Sequence, residues 1–215
     1  MATSKIVNIC IDPGHGGIQP GAVSKTFGYL EKDIALDISI KVRDYLLYAT
    51  KEGDNYIIND HCPSSSSLVE VSMTRTTDVD ISLANRCAFA NSKGSKFFVS
   101  IHCNSCTSEE PNGIETWCYD SKKSKSKTLA TNIQNSIMER VKDFRLDINN
   151  EDQPIKSRGV KSTTVYYTLR HTTMPSVVVE CGFMSNPQEV YLLYNSEKYR
   201  IAIAKGIAEG ILKSL

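Results

Sequence analysis

Three apolar runs in this chain each end in polar groups that buried strands rarely carry. Lys5 to Ile11 runs into Asp12-Pro13-Gly14-His15-Gly16-Gly17. Lys96 to His102 ends in Ser100-Ile101-His102-Cys103-Asn104, and Ser176 to Glu180 ends in Val179-Glu180-Cys181-Gly182. Short continuous apolar runs of this kind read as strands covered on both faces, which belong to parallel sheets. Helical patterns alternate with them. Ile34, Ile38, Val42 and Leu46 fall four apart and predict a helix over Glu31 to Tyr48, and Leu129, Ile133, Ile137 and Val141 repeat the pattern.

The remaining segments complete an alternating order. Val69 to Thr74 and Gly113 to Tyr119 read as two more strands. Ser82 is placed to cap a helix running to Ser92. Asn186-Pro187-Gln188-Glu189 predicts a helix start, with an Asn cap, Pro at the first position and Glu189 reaching back. Tyr199 to Leu212 predicts a closing amphipathic helix, and the basic run Ser121 to Lys127 a solvated helix start. The polar stretch Thr50 to Ser67 reads as a long surface loop, and Leu146 to Ser157 as another. The expected fold is α/β: a three-layer arrangement with a twisted, largely parallel sheet flanked by helices on both faces.

The chain of 215 residues, 40% hydrophobic, suffices for one compact catalytic domain over 1–215 and is thin for two. A net charge of +1 argues against a nucleic-acid partner. No stretch approaches the roughly 20 apolar residues of a membrane span, so no membrane insertion is expected. The opening MATSKIVNIC lacks the apolar run of a secretory signal, so the chain is expected to be made in the cytoplasm. Cys10, Cys62, Cys87, Cys103, Cys106, Cys118 and Cys181 are odd in number, and several sit in apolar runs, which predicts reduced thiols.

In parallel sheets chemistry gathers at the carboxyl ends of the strands. His15, His102 and Glu180 therefore share one edge, and Glu31 starts the helix that follows the loop from that edge. Two imidazoles and a carboxylate form a catalytic zinc shell with a position open for water, and a further carboxylate can take that water's proton. The glycines around His15 permit positive φ and close backbone approach. A phosphate loop is excluded, because no Gly-Lys-Ser/Thr follows them. Taken singly, each residue has an ordinary structural role. A strand-end His is usually hydrogen-bonded, a Glu at a helix start favours the dipole, and Glu180 has Arg158 and Arg170 as available partners. Spacing alone leaves both readings open.

At these residues the chain resembles a known family. IVNICIDPGHGG, LEKD (Leu30 to Asp33), TRTTDVDISLANRCAFAN (Thr74 to Asn91), FVSIHCN (Phe98 to Asn104), RGVK (Arg158 to Lys161), YTLR (Tyr167 to Arg170) and MPSVVVECGFMSNPQE (Met174 to Glu189) are similar, in order, to the motifs of the type 3 zinc-dependent N-acetylmuramoyl-L-alanine amidases. The resemblance implies one Zn²⁺ ion bound by His15, Glu31 and His102, with Glu180 as the catalytic acid/base. It implies hydrolysis of the amide joining N-acetylmuramic acid to L-alanine in bacterial peptidoglycan. Asn104, Arg158 and Arg170 become candidate substrate contacts, with a strand-end turn as the other role for Asn104, and Arg86 a structural ion pair. A lone catalytic domain with no signal and many thiols suits a phage endolysin made in the cytoplasm and released at lysis, with a host autolysin or spore-related amidase as the alternative setting. Tyr119 to Arg158 holds one helix and a polar loop, too short for an inhibitory plug, so no activator protein is expected.

Two other classes compete. A cysteine hydrolase would pair Cys181 with His171 or His102, but Cys181 directly follows Glu180 and should point to the opposite face. A non-catalytic wall-binding module would not need all four site residues. The C-x-x-C pair Cys103 and Cys106 lacks two further ligands for a second metal and reads as incidental.

Overall fold

Strand parity organises this molecule, because a buried strand sends alternate side chains to two different helical layers. The computed structural model describes residues 6–53, 55–60, 68–119, 124–148 and 150–215. Its strands are β1 (Val7–Pro13), β2 (Thr50–Glu52), β3 (Asn55–Ile57), β4 (Val69–Met73), β5 (Phe97–Asn104), β6 (Ile114–Tyr119), β7 (Arg145–Ile148), β8 (Glu151–Pro154), β9 (Ser157–Thr163) and β10 (Ser176–Phe183). Its helices are α1 (Glu31–Tyr48), α2 (Leu83–Ser92), α3 (Ser124–Val141), α4 (Tyr167–His171), α5 (Pro187–Asn195) and α6 (Glu197–Leu212).

Six strands form the central sheet in the order β4-β1-β5-β10-β6-β9. Every neighbouring pair is parallel except β10 and β6, which run antiparallel. Ile9 and Ile11 of β1, Val99 and Ile101 of β5, and Val177 and Val179 of β10 face the larger core, which α1, α3 and α6 cover. Cys10 and Phe98 point the other way, into a small cluster with Ala90 of α2 and Met174. By the same alternation, Asp12, Ser100, His102 and Glu180 belong to this second, thinly covered face. That uneven covering leaves the sheet edge open where the polar strand ends sit.

The expected helices and strands form close to their expected limits, and the differences lie in the polar stretches. The surface loop expected from Thr50 begins as the β2–β3 hairpin, and residues 61–67 lie outside the described region. The loop expected over Leu146 to Ser157 is largely the β7–β8 hairpin, followed by the edge strand β9. Backbone pairing, rather than apolar alternation, makes these short polar strands, so periodicity does not reveal them. Of the basic run Ser121 to Lys127, residues 121–123 lie outside the described region and α3 begins at Ser124. Ser82 caps α2 as expected, accepting the Asn85 N–H at 3.2 Å. Asn186 caps α5, but Glu189 does not reach back to it. Its carboxylate accepts the N–H groups of Gly113 and Phe183, both at 2.8 Å, and so ties α5 to the loop before β6.

Helices α3 and α6 pack backbone to backbone. A Cβ placed on Gly206 would stand 2.5 Å from Ile137 Cα, and one on Gly210 would stand 2.3 Å from Ile133 Cα. Glycine weakens a helix by roughly 0.5–1 kcal/mol relative to alanine, so its presence here reflects close approach. Gly210→Ala should therefore destabilise the protein despite better helix propensity, by about 1–3 kcal/mol as for other overpacked sites. Thermal or urea unfolding checks this; an unchanged or raised midpoint would show that the helices separate freely.

Candidate active site

The loop after β1 carries His15, and two buried arginines hold that loop. Arg86 donates to the Asp12 carboxylate at 2.8 Å, to Pro13 O at 2.5 Å and to His15 O at 2.6 Å. Arg75 donates to Pro13 O, Gly14 O and Lys32 O, at 3.1, 2.7 and 2.8 Å. The structural ion pair expected for Arg86 is thus present, and Arg75 is a second clamp that the sequence reading missed. Held this way, His15 adopts φ 58°, a left-handed conformation that is costly for a residue with a Cβ. Gly14 is needed for another reason: a Cβ there would lie 2.3 Å from the His102 ring.

Glu31 brings the strand ends together. Its Oε1 lies 3.1 Å from His15 Nε2 and 3.0 Å from His102 Nδ1, and it accepts the Cys103 N–H at 3.0 Å. Its Oε2 accepts the Ala22 N–H at 2.8 Å. The side chain therefore serves no cap on its own helix. Burial opposes ionisation of Glu31, but hydrogen bonds from His102 and His15 outweigh it and hold the carboxyl well below the usual range. Burial lowers the His102 pKa, and the Glu31 hydrogen bond and charge more than offset this, raising it to about 8. One ligand atom from each of His15, Glu31 and His102 lies within 4.8 Å of the others, which makes them the one metal-competent group among the described residues.

The surroundings fit a metal. Ser100 Oγ donates to Asp12 Oδ2 at 2.6 Å, so its hydroxyl is left to accept from His102 Nε2 at 3.1 Å. That hydrogen bond holds a ring proton on Nε2 and leaves Nδ1, which hydrogen-bonds Glu31, as the nitrogen a metal would take. An imidazole fixed by a second partner is the usual companion of a metal ligand. The donor set, two nitrogens and a carboxylate oxygen, matches a catalytic site with an open position.

Glu180 sits beside this group without joining it. It pairs with His102 across β10 and β5. The side chain is buried, and among the described residues its Oε2 makes no hydrogen bond. Burial raises its pKa; the His102 charge lowers it and the Glu31 and Glu115 charges raise it again, leaving it at about 7. A cavity of about 440 Å³ opens next to the site, between the His15 loop and the start of α2, lined by His15, Gln19, Ile81, Leu83 and His102.

The other expected site residues separate. Asn104 donates to Glu115 at 2.8 Å and accepts the Ser105 N–H, so its amide is engaged within the protein. Arg158 reaches the same Glu115 at 2.6 Å from the edge strand β9. Arg170 is exposed on α4 and makes no side-chain hydrogen bond among the described residues. Glu115, Trp117 and Lys161, on the same sheet face as Glu180, were not foreseen as site residues. Glu115 was recoverable from the alternation in β6, which puts it and Trp117 on one face. Cys181 is fully buried on the opposite, core face from Glu180, and His171 is exposed and stacked on Tyr167, so no Cys–His pair forms. The described cysteines are free thiols. Cys103 is buried and Cys106 exposed, while Cys62 lies outside the described residues.

Comparison with known proteins agrees with this geometry. Residues 9–213 match the family described as Amidase_3, N-acetylmuramoyl-L-alanine amidase. The germination-specific N-acetylmuramoyl-L-alanine amidase of Bacillus subtilis is 29% identical over 211 residues, covering 95% of this chain and 78% of that protein. The crystal structure of an N-acetylmuramoyl-L-alanine amidase from Clostridium difficile 630 superposes with a TM-score of 0.80 at 32% identity, covering 98% of this chain and 97% of that one. The CwlD amidase from Clostridioides difficile, in complex with the GerS lipoprotein, does so with a TM-score of 0.77 at 30% identity, covering 97% and 98%. A mostly parallel sheet that presents a His–Glu–His group beside a buried glutamate, matched along nearly its whole length, places this chain in the N-acetylmuramoyl-L-alanine amidase family, hydrolases of the bond between N-acetylmuramic acid and L-alanine in bacterial peptidoglycan.

Proposed function

We propose that this chain, as one catalytic domain over 1–215, is a zinc-dependent amidase in which His15, Glu31 and His102 hold the ion and Glu180 moves the proton. The observation that carries this reading is Glu180: a buried carboxyl with an oxygen unpartnered among the described residues and a pKa of about 7, next to three converging metal donors. Amide hydrolysis exchanges no electrons, so a redox-inert ion with nitrogen and oxygen ligands suits the site. Zinc bound there supplies a Lewis acid for the scissile carbonyl and lowers the pKa of a bound water to roughly 7. Glu180 accepts a proton from the attacking water and delivers it to the departing alanine nitrogen. Ser100 and the Ala22 N–H keep His102 and Glu31 oriented. Arg158 stands on the wall where a stem peptide would run, whereas Asn104 and Arg170 are set aside as direct contacts.

The setting we favour is a bacterial wall-remodelling or spore-related amidase rather than a phage endolysin, supported by the germination-specific relative. The isolated chain is proposed to act without an activator and without membrane insertion. Between Tyr119 and Arg158 the described residues form α3 and the β7–β8 hairpin, and the helix packs on α6 rather than over the cleft. No helix among the described residues is long and apolar enough to cross a membrane.

Chelation should abolish release of new amino termini from purified peptidoglycan, and added Zn²⁺ should restore it. Full activity in metal-free protein would remove zinc from the mechanism, and sedimentation with peptidoglycan without cleavage would indicate a binding module. The isolated chain should cleave unaided; activity that appeared only with an added partner would contradict the open cleft.

The two glutamates should separate. Glu31→Gln replaces an anionic ligand with a neutral amide, so metal content and rate should fall together. Glu180→Gln should keep one zinc per chain, and its rate should drop on the order of 10²–10⁴-fold. Metal analysis beside circular dichroism and turnover reads both. If Glu180→Gln lost zinc while Glu31→Gln retained it, the roles would be exchanged.

A further inference from the structure

Glu115 gathers four donors from three strands. Its carboxylate accepts Asn104 Nδ2 at 2.8 Å, Trp117 Nε1 at 2.9 Å, Arg158 Nε at 2.6 Å and Lys161 Nζ at 2.7 Å. The Glu115 side chain is 2% exposed, while those of Arg158 and Lys161 are 26% and 32% exposed. Burial opposes its ionisation, but hydrogen bonds from Lys161, Arg158 and Trp117 hold its carboxyl below the usual range. Two cations thus share one ionised carboxylate, with one positive charge in excess. Among the described residues the terminal guanidinium nitrogens of Arg158 make no hydrogen bond.

The backbone is shaped to produce this pair. Residues three apart on a regular strand point to opposite faces. Here Ser157 pairs with Ile114 while Gly159 pairs with Glu115, so β9 carries an extra residue at Arg158. Such a bulge re-aims a side chain, and Gly159 takes the positive φ of 78° that goes with it. Arg158 and Lys161 therefore meet on one face. Each is also pinned over a ring, Arg158 above Phe183 at 4.8 Å and Lys161 above Trp117 at 5.4 Å. This fixes the two cations before any ligand arrives.

The position relative to the metal group follows from the sheet. His102, Glu180 and Glu115 pair in one row across β5, β10 and β6. At about 4.8 Å between strands, Glu115 stands about 10 Å from His102 along that row. An extended peptide advances roughly 3.5 Å per residue, so this distance spans two to three residues from a carbonyl held at the metal group.

We propose that Arg158 and Lys161, positioned by Glu115, form a carboxylate-binding subsite for the second residue of the stem peptide, so that the protein discriminates a free carboxyl there from its amide. The inference rests on the amidase reading above. It orients the substrate: the stem peptide runs over β10, β6 and β9, and the muramoyl sugar lies over the cavity between the His15 loop and α2. A free carboxylate receives the two unspent Arg158 nitrogens and a Lys161 proton. An amide offers one acceptor and brings an N–H₂ donor against two cations, so it is rejected.

The test is calorimetric titration of the zinc-loaded chain with free stem tetrapeptides that carry no scissile bond. Three forms are compared: all carboxyls free, the second residue amidated, and the third residue amidated. Amidation of the second residue should weaken binding by at least about tenfold, the size of a lost charged hydrogen bond, and amidation of the third by less than about twofold. Arg158→Gln and Lys161→Met, which keep the stems over Phe183 and Trp117, should each shrink the second-residue preference. Equal binding of the three forms, no binding of any, sensitivity to the third residue instead of the second, or a preference that survives both variants would overturn the subsite. Release of amino termini from whole peptidoglycan reads the amidase assignment separately, because a chain that bound the free acid selectively yet cleaved nothing would fail that assignment and keep the subsite.

Discussion

The carboxylate of Glu31 is the point on which the site's geometry depends. It is buried, ionised and fully engaged, with His15 and His102 on one oxygen and the Ala22 amide on the other. A charge so far from water is tolerated only where donors surround it. Here the donors come from the loop after β1, the tip of β5 and the segment before α1, so neutralising that charge requires all three to be in place. The two arginine clamps serve the same end. Arg75 and Arg86 saturate the carbonyls of Pro13, Gly14 and His15, and the loop keeps a conformation that His15 would not adopt by itself.

Parity in the sheet then divides labour between neighbouring residues. Glu180 and Cys181 are adjacent in sequence, yet one faces the cleft and the other the larger core. The same rule separates His102 from Cys103. It leaves the thiols as packing groups, and burial raises the Cys103 and Cys181 pKa values well above the ordinary thiol range, which withholds the reactive thiolate. Burial has the opposite use at Glu180. Desolvation raises its pKa to about 7, where it can take up and release a proton, while Glu31 stays charged because it is hydrogen-bonded.

The sheet also sets how far the cleft extends beyond the metal donors. Neighbouring strands repeat the row of functional side chains, from His102 to Glu180 to Glu115. One irregularity, the extra residue at Arg158 in β9, turns the end of that row into a cation pair. Asn104, read from sequence as a substrate contact or a strand-end turn, donates to Glu115 and so supports that pair.

Much of this was legible in the sequence, for reasons of periodicity. Apolar runs of strand length alternating with stripes at four-residue spacing dictated the layers of α/β structure, and polar groups at the strand tips marked His15, His102 and Glu180 as an edge cluster. The motif resemblance separated the role of Glu31 from that of Glu180, which spacing left open. Tertiary structure alone decided the rest. The polar hairpins β2–β3 and β7–β8 carry no apolar period, so only backbone pairing defines them. Glu189 has the spacing of a capping residue, yet it bonds Gly113 and Phe183, because the fold brings those amides closer than the helix start. Arg158 and Lys161 sit at a spacing that regular strand geometry sends to opposite faces, and the bulge that reunites them depends on pairing with β6, a contact between segments some forty residues apart that no local pattern encodes.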